Sequence, residues 1–393
     1  MKSMTLRFPL ALVLLESTLY LSQDMYLPAL PAVQRDFAVS AALAQATFTV
    51  WLLGATVLQP LIGPLSDRHG RRHVVLVSAA LFVAASAGCA AAPGFAGFTA
   101  FMLLRALQGG ALCGVLAAGY ACVHESLGSH DAVRTQAWMS AVTVLAPALG
   151  PLLGALLLLH WAWPALFVVL AALGALAAAM LQRWMPETVD AASAARLSWR
   201  RSAAAYLALL AQRGTPELLG AACLLLAVLL AWNVTAPFVF ADDTGSFVAA
   251  QAWLYAMFIV GTRVVARQLG NRGADALVRA GLHLGLLGAA LGAAAALLRL
   301  PTWCTLGAFG LCPLADGMLF APLLRIMLER ASAAGHPMGT VMALWITALN
   351  LVGVGCTLGV AWAGWTQLHE LLPMAALLTA LAWVLGRRGL RNT

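Results

Sequence analysis

Gly63-Pro64-Leu65-Ser66-Asp67-Arg68-His69-Gly70-Arg71-Arg72 joins two apolar runs, 42–62 and 73–92. Each run is long enough to cross ~30 Å of hydrocarbon as a helix. The polar decapeptide is therefore a short loop between two membrane spans. Its glycines permit tight turning and close approach of the helices. Asp67 can cap a helix start or pair with a neighbouring arginine. Arg71 and Arg72 suit lipid phosphates. A basic turn that merely sets topology would not need the full spacing Gly-x-Leu-x-Asp-Arg-x-Gly-Arg-Arg.

The same reading extends over the whole chain. Of its 393 residues 62% are hydrophobic and only 10% charged, with a mean hydropathy of +0.88. Twelve apolar runs follow one another: 8–30, 42–62, 73–92, 97–121, 136–158, 162–182, 216–240, 247–267, 277–298, 302–324, 338–362 and 366–386. No β-barrel alternation is present. The expected fold class is all-α and integral to the membrane. A polar stretch, about 183–213, separates six spans from six. The expected domains are an N-terminal six-helix bundle (1–182), a cytoplasmic linker (183–213) and a C-terminal six-helix bundle (214–393).

The net charge of +8 belongs to basic loops facing an anionic leaflet, not to nucleic-acid binding. All but Arg35, Arg105 and Arg299 of the 23 Lys and Arg lie at the N-terminus, in even-numbered loops, at the C-terminus or at adjoining helix ends. The positive-inside rule then puts both termini in the cytoplasm. Glu16 within the first run, and no small-x-small site after it, argue for an uncleaved first span. Seven cysteines all lie in apolar segments without a Cys-x-x-Cys or Cys/His cluster, so no metal site is expected. Arg267-Gln-Leu-Gly270-Asn-Arg272 lies 200 residues after Asp67-Arg-His-Gly70-Arg-Arg72. That faint repeat suggests a duplicated six-plus-six architecture, with a site between the halves.

The first span holds two acids, Glu16 and Asp24. A carboxylate there costs ~2.5 kcal/mol or more to insert. Eight residues of helix rise ~12 Å and turn about 80° beyond two full turns, so both acids can face one cavity at different depths. Apolar surroundings disfavour the charged form of a carboxylate, which lets it exchange a proton near neutral pH. A cation beside it favours proton release and a proton disfavours the cation, which is the logic of antiport. Asp24 reads also as a helix-end residue before Pro28, and Glu16 as a structural hydrogen-bond acceptor.

Arg105-Ala-Leu-Gln108-Gly109 puts an arginine within span 4, where it must meet an interior group, a cavity or a carboxylate. It is either a lock between helices or part of proton coupling. Pro147-Ala-Leu-Gly150-Pro151-Leu-Leu-Gly154 on span 5 allows close packing and a bend.

The loop Gly63 to Arg72 resembles the signature loop of the major facilitator superfamily. Its conformational motif here comprises Gly63, Asp67, Arg68, Gly70, Arg71 and Arg72, with Gly150, Pro151 and Gly154 of the span-5 antiporter pattern. Leu15-Glu16-Ser-Thr-Leu-Tyr20-Leu-Ser-Gln23-Asp24-Met25, Leu104 to Cys113 continuing to Gly119 to Ser126, and the span-5 motif Pro147 to Gly154 are more closely similar to the MdfA-type multidrug/proton antiporters. The likeness covers the N-terminal half well. The C-terminal half matches more loosely, at Ala236-Pro237 and Gly339-Thr340-Val341. It implies a major facilitator fold of twelve transmembrane helices in two pseudo-symmetric bundles. It also implies a bacterial inner-membrane location and proton coupling through Glu16, Asp24 and Arg105.

The candidate substrate-binding residues are Tyr20, Gln23, Asp24, Trp232, Asn233 and Asp316. Trp232-Asn233 reads equally as ordinary span packing. Asp316, after Pro313 on span 10, could add a proton site or cation contact, pair with a polar neighbour, or cap a helix break. His283 reads as a packed, neutral histidine.

The expected function is proton-coupled export of lipophilic neutral and cationic drugs by alternating access. The narrower alternative exports one phenicol-type antibiotic or a small metabolite. An intramembrane enzyme is a remote reading, since no Gly-x-Ser-x-Gly or His-Glu-x-x-His occurs. No Gly-x-x-x-x-Gly-Lys-[Ser/Thr] occurs either, so ATP drive is not expected. The expected partners are small drugs, protons and membrane lipids, with no cofactor and no nucleic acid, and the chain is expected to act as a monomer.

Overall fold

The computed structural model describes residues 7–95, 97–127, 131–132, 135–136, 138–139, 146–188, 199–334 and 338–391. Among them every regular element is helical and no strand occurs. The chain divides into two compact units, Met1–Leu197 and Ser198–Thr393.

Unit 1 contains α1 (Arg7–Asp24), a 3-10 turn (Leu27–Ala29), α2 (Leu30–Asp36), α3 (Ala41–His69) and α4 (Arg71–Phe95). It continues with α5 (Gly97–Gly114), a π-turn (Val115–Gly119), α6 (Tyr120–Ser126), α7 (Ala146–Leu158) and α8 (Pro164–Trp184). Unit 2 contains α9 (Trp199–Leu210), α10 (Thr215–Val239), α11 (Thr244–Arg272) and α12 (Ala274–Leu297). It ends with α13 (Thr302–Phe309), α14 (Leu311–Ala333), α15 (Met338–Ala363) and α16 (Leu368–Arg391).

Ten helical segments among the described residues are long and apolar enough to span a membrane. The other two expected spans correspond to α1, which carries Glu16 and Asp24, and α7. Part of the fifth span, 136–158, lies outside the described residues. The expected linker 183–213 includes α9, which packs against α15 with Leu209 buried and Leu207 exposed.

Local chemistry sets the helix ends. Ser40 caps α3 by accepting from the Leu43 amide at 3.3 Å, and Asp243 caps α11 by accepting from Ser246 at 3.0 Å. Hydrogen bonding to Ser246 holds the Asp243 carboxyl below its usual range. Gly70 (φ +95°) ends α3 and Gly273 (φ +74°) ends α11, a left-handed backbone that favours glycine. The equivalent of Gly70 is thus Gly273. Gly270, the match suggested by the 200-residue repeat, lies inside α11.

The packing repeats between units. In unit 1, α3 packs on α5, α4 on α5 and α8, and α1 on α7 and α8. In unit 2, α11 packs on α14, α12 on α14 and α16, and α10 on α15 and α16. Each α3/α5-type crossing brings backbone against backbone. A Cβ on Gly54 would overlap the Ala106 carbonyl, and one on Gly109 the Trp51 carbonyl. A Cβ on Gly261 would overlap the Leu314 carbonyl, and one on Gly317 the Phe258 carbonyl. Helices in lipid associate through such small residues because apolar burial gains nothing there. Leu12, Phe48, Phe82, Phe101 and Phe167 are buried in unit 1; Leu218, Leu282, Leu319, Leu323 and Trp345 form the core of unit 2.

Candidate functional site

Helix α1 stops at Asp24 because prolines follow. Pro28 and Pro31 each remove a backbone donor, and the residue before proline avoids the helical region. A turn at Met25-Tyr26 and the 3-10 segment lead into α2. The break leaves carbonyls in the last turn of α1 without helical partners.

Arg105 takes up one of them. From α5 its Nη1 donates to the Ser22 carbonyl at 2.9 Å and to Gln108 Oε1 at 2.8 Å. Gln108 in turn donates to Ser86 Oγ on α4 at 2.7 Å. The guanidinium lies over the Tyr26 ring, 4.4 Å from its centroid, and 5.7 Å from the Phe167 centroid. Phe101 meets Tyr26 tilted, at 6.1 Å between centroids, and Phe167 edge-to-face, at 5.7 Å. A desolvated cation against aromatic faces gains about 2 kcal/mol. Arg105 is fully buried, and its Nε and Nη2 have no hydrogen-bond partner among the described residues. It therefore locks α5 to the broken end of α1 and keeps two buried donors in reserve.

Glu16 and Asp24 are both buried, at 1% and 3% exposure, but they meet different neighbours. The Tyr120 hydroxyl lies 3.0 and 3.1 Å from the two Glu16 carboxylate oxygens. Tyr120 follows the π-turn directly, and a Cβ on Gly119 would press into Leu12, one turn before Glu16. The π-turn thus presents Tyr120 to α1, a local distortion of the kind found at functional sites. Asp24 faces α7. A Cβ on Gly150 would overlap the Asp24 side chain, and one on Gly154 the Met25 carbonyl. The span-5 glycines therefore cradle the α1 break. No hydrogen bond or ion pair from the described residues reaches Asp24. Half-buried Tyr20 lies within electrostatic reach of Glu16, Asp24 and Tyr120, and Gln23 is buried beside Asp24.

The signature loop forms its own charged cluster. Arg71 pairs with Asp67 and with Glu125 of α6 at 3.1 Å, and donates to Ser66 Oγ at 2.6 Å. The Arg71 amide donates to Glu187 Oε1 at 2.8 Å, and a Cβ on Gly70 would collide with that carboxylate. Arg72 donates to the Gln182 carbonyl at 2.6 Å, while Arg68 is exposed. Gly63 lies in α3 and Pro151 in α7.

In unit 2, Trp232 is fully buried and its indole donates to Gln251 Oε1. Gln251 donates to Asn233 Oδ1 and Asn233 to the Tyr255 hydroxyl, both at 3.4 Å. Asp316 stands on α14, apart from this chain of bonds. His283 is exposed, not packed inside. It meets Trp383 edge-to-face, with ring centroids 5.8 Å apart.

The sequence singled out Glu16, Asp24 and Arg105 but not Ser22, Tyr26, Phe101 or Phe167, which surround the guanidinium. It also passed over Glu187, Gln251 and Tyr255. A polar residue inside an apolar run, such as Gln251, is the one signal that pointed to any of them.

The sequence profile of the Major Facilitator Superfamily matches residues 12–357. The chain is 35% identical to the "Multidrug transporter MdfA" of Yersinia pestis bv. Antiqua, over 89% of this chain and 86% of that one. It is 33% identical to the "Multidrug resistance protein MdtM" of Salmonella typhimurium, over 89% and 84%. It shares its fold with the xylose transporter XylE from E. coli, with a TM-score of 0.74 at 13% identity and 97% of each chain covered. The nucleoside transporter NupG also gives 0.74, at 16% identity, over 97% of this chain and 99% of that one. The chain belongs to the Major Facilitator Superfamily. It is a multi-pass membrane transporter with multidrug-transporter homologues, and not an enzyme.

Proposed function

We propose that this member of the superfamily is a proton-coupled antiporter. It exports lipophilic neutral and cationic drugs by alternating access. The observation that carries the reading is the pair of buried carboxylates on α1. Glu16 is bound by Tyr120, while Asp24, at the helix break, has no partner from the described residues. A carboxylate kept so at such cost is a site for a transient charge. Arg105 holds the end of α1 by the Ser22 carbonyl, so a charge change at Asp24 acts on a helix end that is already pinned. The names of the relatives, with "multidrug" in both, support a broad range of drugs.

The drive is the proton gradient, with no bound cofactor. The chain works as a monomer in the bacterial inner membrane, with both termini in the cytoplasm and lipids as its surroundings. Glu16, Asp24 and Arg105 couple protons. Tyr20, Gln23 and Asp24, with Trp232 and Asn233, contact substrate. The Asp67 loop governs the conformational step.

The test is a resistance panel in a pump-deficient host, comparing chloramphenicol-like neutral compounds with lipophilic cations, with and without a protonophore. Export of both classes that collapses with the proton gradient supports the reading. Export of one compound alone favours a narrow exporter, and export that survives the protonophore sinks proton coupling.

A further inference from the structure

Helix α14 repeats the register of α5 against its neighbour. In unit 1, Gly54 meets the Ala106 carbonyl, three residues before Gly109, and Gly109 meets the Trp51 carbonyl, three before Gly54. In unit 2, Gly261 meets the Leu314 carbonyl, three before Gly317, and Gly317 meets the Phe258 carbonyl, three before Gly261. The two crossings therefore share one register. Gly109 corresponds to Gly317, Gln108 to Asp316, and Arg105 to Pro313.

That correspondence exposes a change of charge. In unit 1 the position holds neutral Gln108, satisfied by Arg105 and Ser86. In unit 2 it holds a carboxylate, and the arginine one turn earlier is replaced by proline. Asp316 is half-buried; its Oδ1 is inaccessible and has no hydrogen-bond partner among the described residues, and none of the ion pairs found there includes Asp316. It is not a helix cap, because α14 begins at Leu311 and the orphan amides of a helix lie in its first four residues.

The helices packed on α14 bring no counter-charge to it. On α11, Arg263 and Arg267 are exposed and Arg272 lies at the helix end. On α12, Asp275 and Arg279 stand in the first two turns, and His283 is exposed against Trp383. Glu217 stands in the first turn of α10. Tyr255 is engaged with Asn233. Helices α13 and α15 have no charged residue. On α14 itself the buried Cys312 thiol, one turn back, lies within electrostatic reach of Asp316.

We propose that Asp316 is a second cation-uptake site, inside unit 2, that gains and loses one positive charge in each transport cycle. A half-buried carboxylate within a membrane span, with no counter-charge on the helices packed around it, is disfavoured, so an arriving positive charge is held there. That charge is a proton or the cationic group of a substrate. In the first case the proton comes from hydronium on one face, forms the Asp316 O–H bond, and returns to water on the other face, which restores the carboxylate. The inference rests on the antiport reading above.

The experiment uses the full chain in liposomes with an imposed pH gradient. Wild type, Asp316→Asn and Asp316→Glu are compared with a neutral phenicol and a permanently charged phosphonium as drugs. A pH-sensitive dye counts protons moved per drug. If the charge is a proton, Asp316→Asn moves fewer protons per phenicol at unchanged affinity, and Asp316→Glu keeps the wild-type count. If it is the substrate's charge, Asp316→Asn binds the phosphonium about tenfold more weakly, because the Coulomb attraction between carboxylate and phosphonium, stronger out of water, is lost. Its phenicol affinity and proton count then stay as in wild type. Wild-type counts and affinities for both drugs in Asp316→Asn overturn the proposal. Loss of both drugs with a lowered unfolding temperature, unrelieved in Asp316→Glu, also overturns it by making Asp316 structural. A wild type that moves neither drug sinks the antiport reading itself, and this proposal with it.

Discussion

The Tyr120 hydroxyl bridges the two oxygens of the Glu16 carboxylate, at 3.0 and 3.1 Å, across 104 residues of sequence. A hydroxyl has one proton to donate, so the bond alternates between the oxygens and holds the carboxylate in place. A hydrogen bond to a charged group is worth about 1.5–3 kcal/mol.

Glu16→Gln should therefore reduce export of cations more than export of neutral compounds. Tyr120→Phe should do the same more weakly. Because the two groups act as a pair, the double variant should be no worse than Glu16→Gln alone. Drug accumulation at matched membrane abundance measures all three. Additive losses would mean that Tyr120 acts independently of Glu16.

Arg105→Ala should inactivate transport, while Arg105→Lys retains a fraction. The guanidinium bonds Ser22 and Gln108 and lies over the Tyr26 ring, a planar fit that a point ammonium reproduces only in part. Normal efflux by the alanine variant would show that the tie to α1 is dispensable.

Much of this architecture was legible in the sequence because its signals are local. An apolar run of span length is read directly, and so is a misplaced charge such as Glu16 or Arg105. The partners of those charges were not legible. Ser22 matters through a carbonyl freed by the break at Asp24, and Tyr26 and Phe167 reach the guanidinium from the turn after α1 and from α8. The duplication was half legible. The Gly70-to-Gly270 match misplaced the helix junction by three residues, because the true constraint is a left-handed glycine, and that is Gly273. The better marker is the Gly54/Gly109 and Gly261/Gly317 pair of crossings, which only close backbone approach reveals.

Those crossings set a stability test. Gly109→Ala would drive a methyl into the Trp51 carbonyl, and overpacking of this kind costs typically ~1–3 kcal/mol. Gly355→Ala, in open space on α15, should be neutral or stabilising by ~0.5–1 kcal/mol, the helix preference for alanine. Thermal unfolding in detergent compares them. Equal unfolding temperatures would mean that α3 and α5 separate at no cost.

Asp67→Asn should slow transport without reordering drug preference. Its partner Arg71 also holds Glu125, and the Arg71 amide holds Glu187, so the cluster joins four segments of unit 1. Weakening it should shift conformational populations and leave substrate contacts alone. Initial rates for several drugs check this, and a changed ranking would place Asp67 in the binding path.

Asp24 should be the acid at which proton and substrate compete. It is buried, it ends α1, and Gly150 and Gly154 of α7 press against it and Met25. No described residue offers it a hydrogen bond or a counter-charge, whereas Glu16 has Tyr120. An unpaired site exchanges its proton for a drug more readily than a satisfied one. Drug binding to the purified protein in weak buffer should then release protons. Asp24→Asn should bind neutral drugs with no release and with little dependence on pH. If the variant releases protons as the wild type does, the exchanging acid is another, with Glu16 the first to test and Asp316 the second.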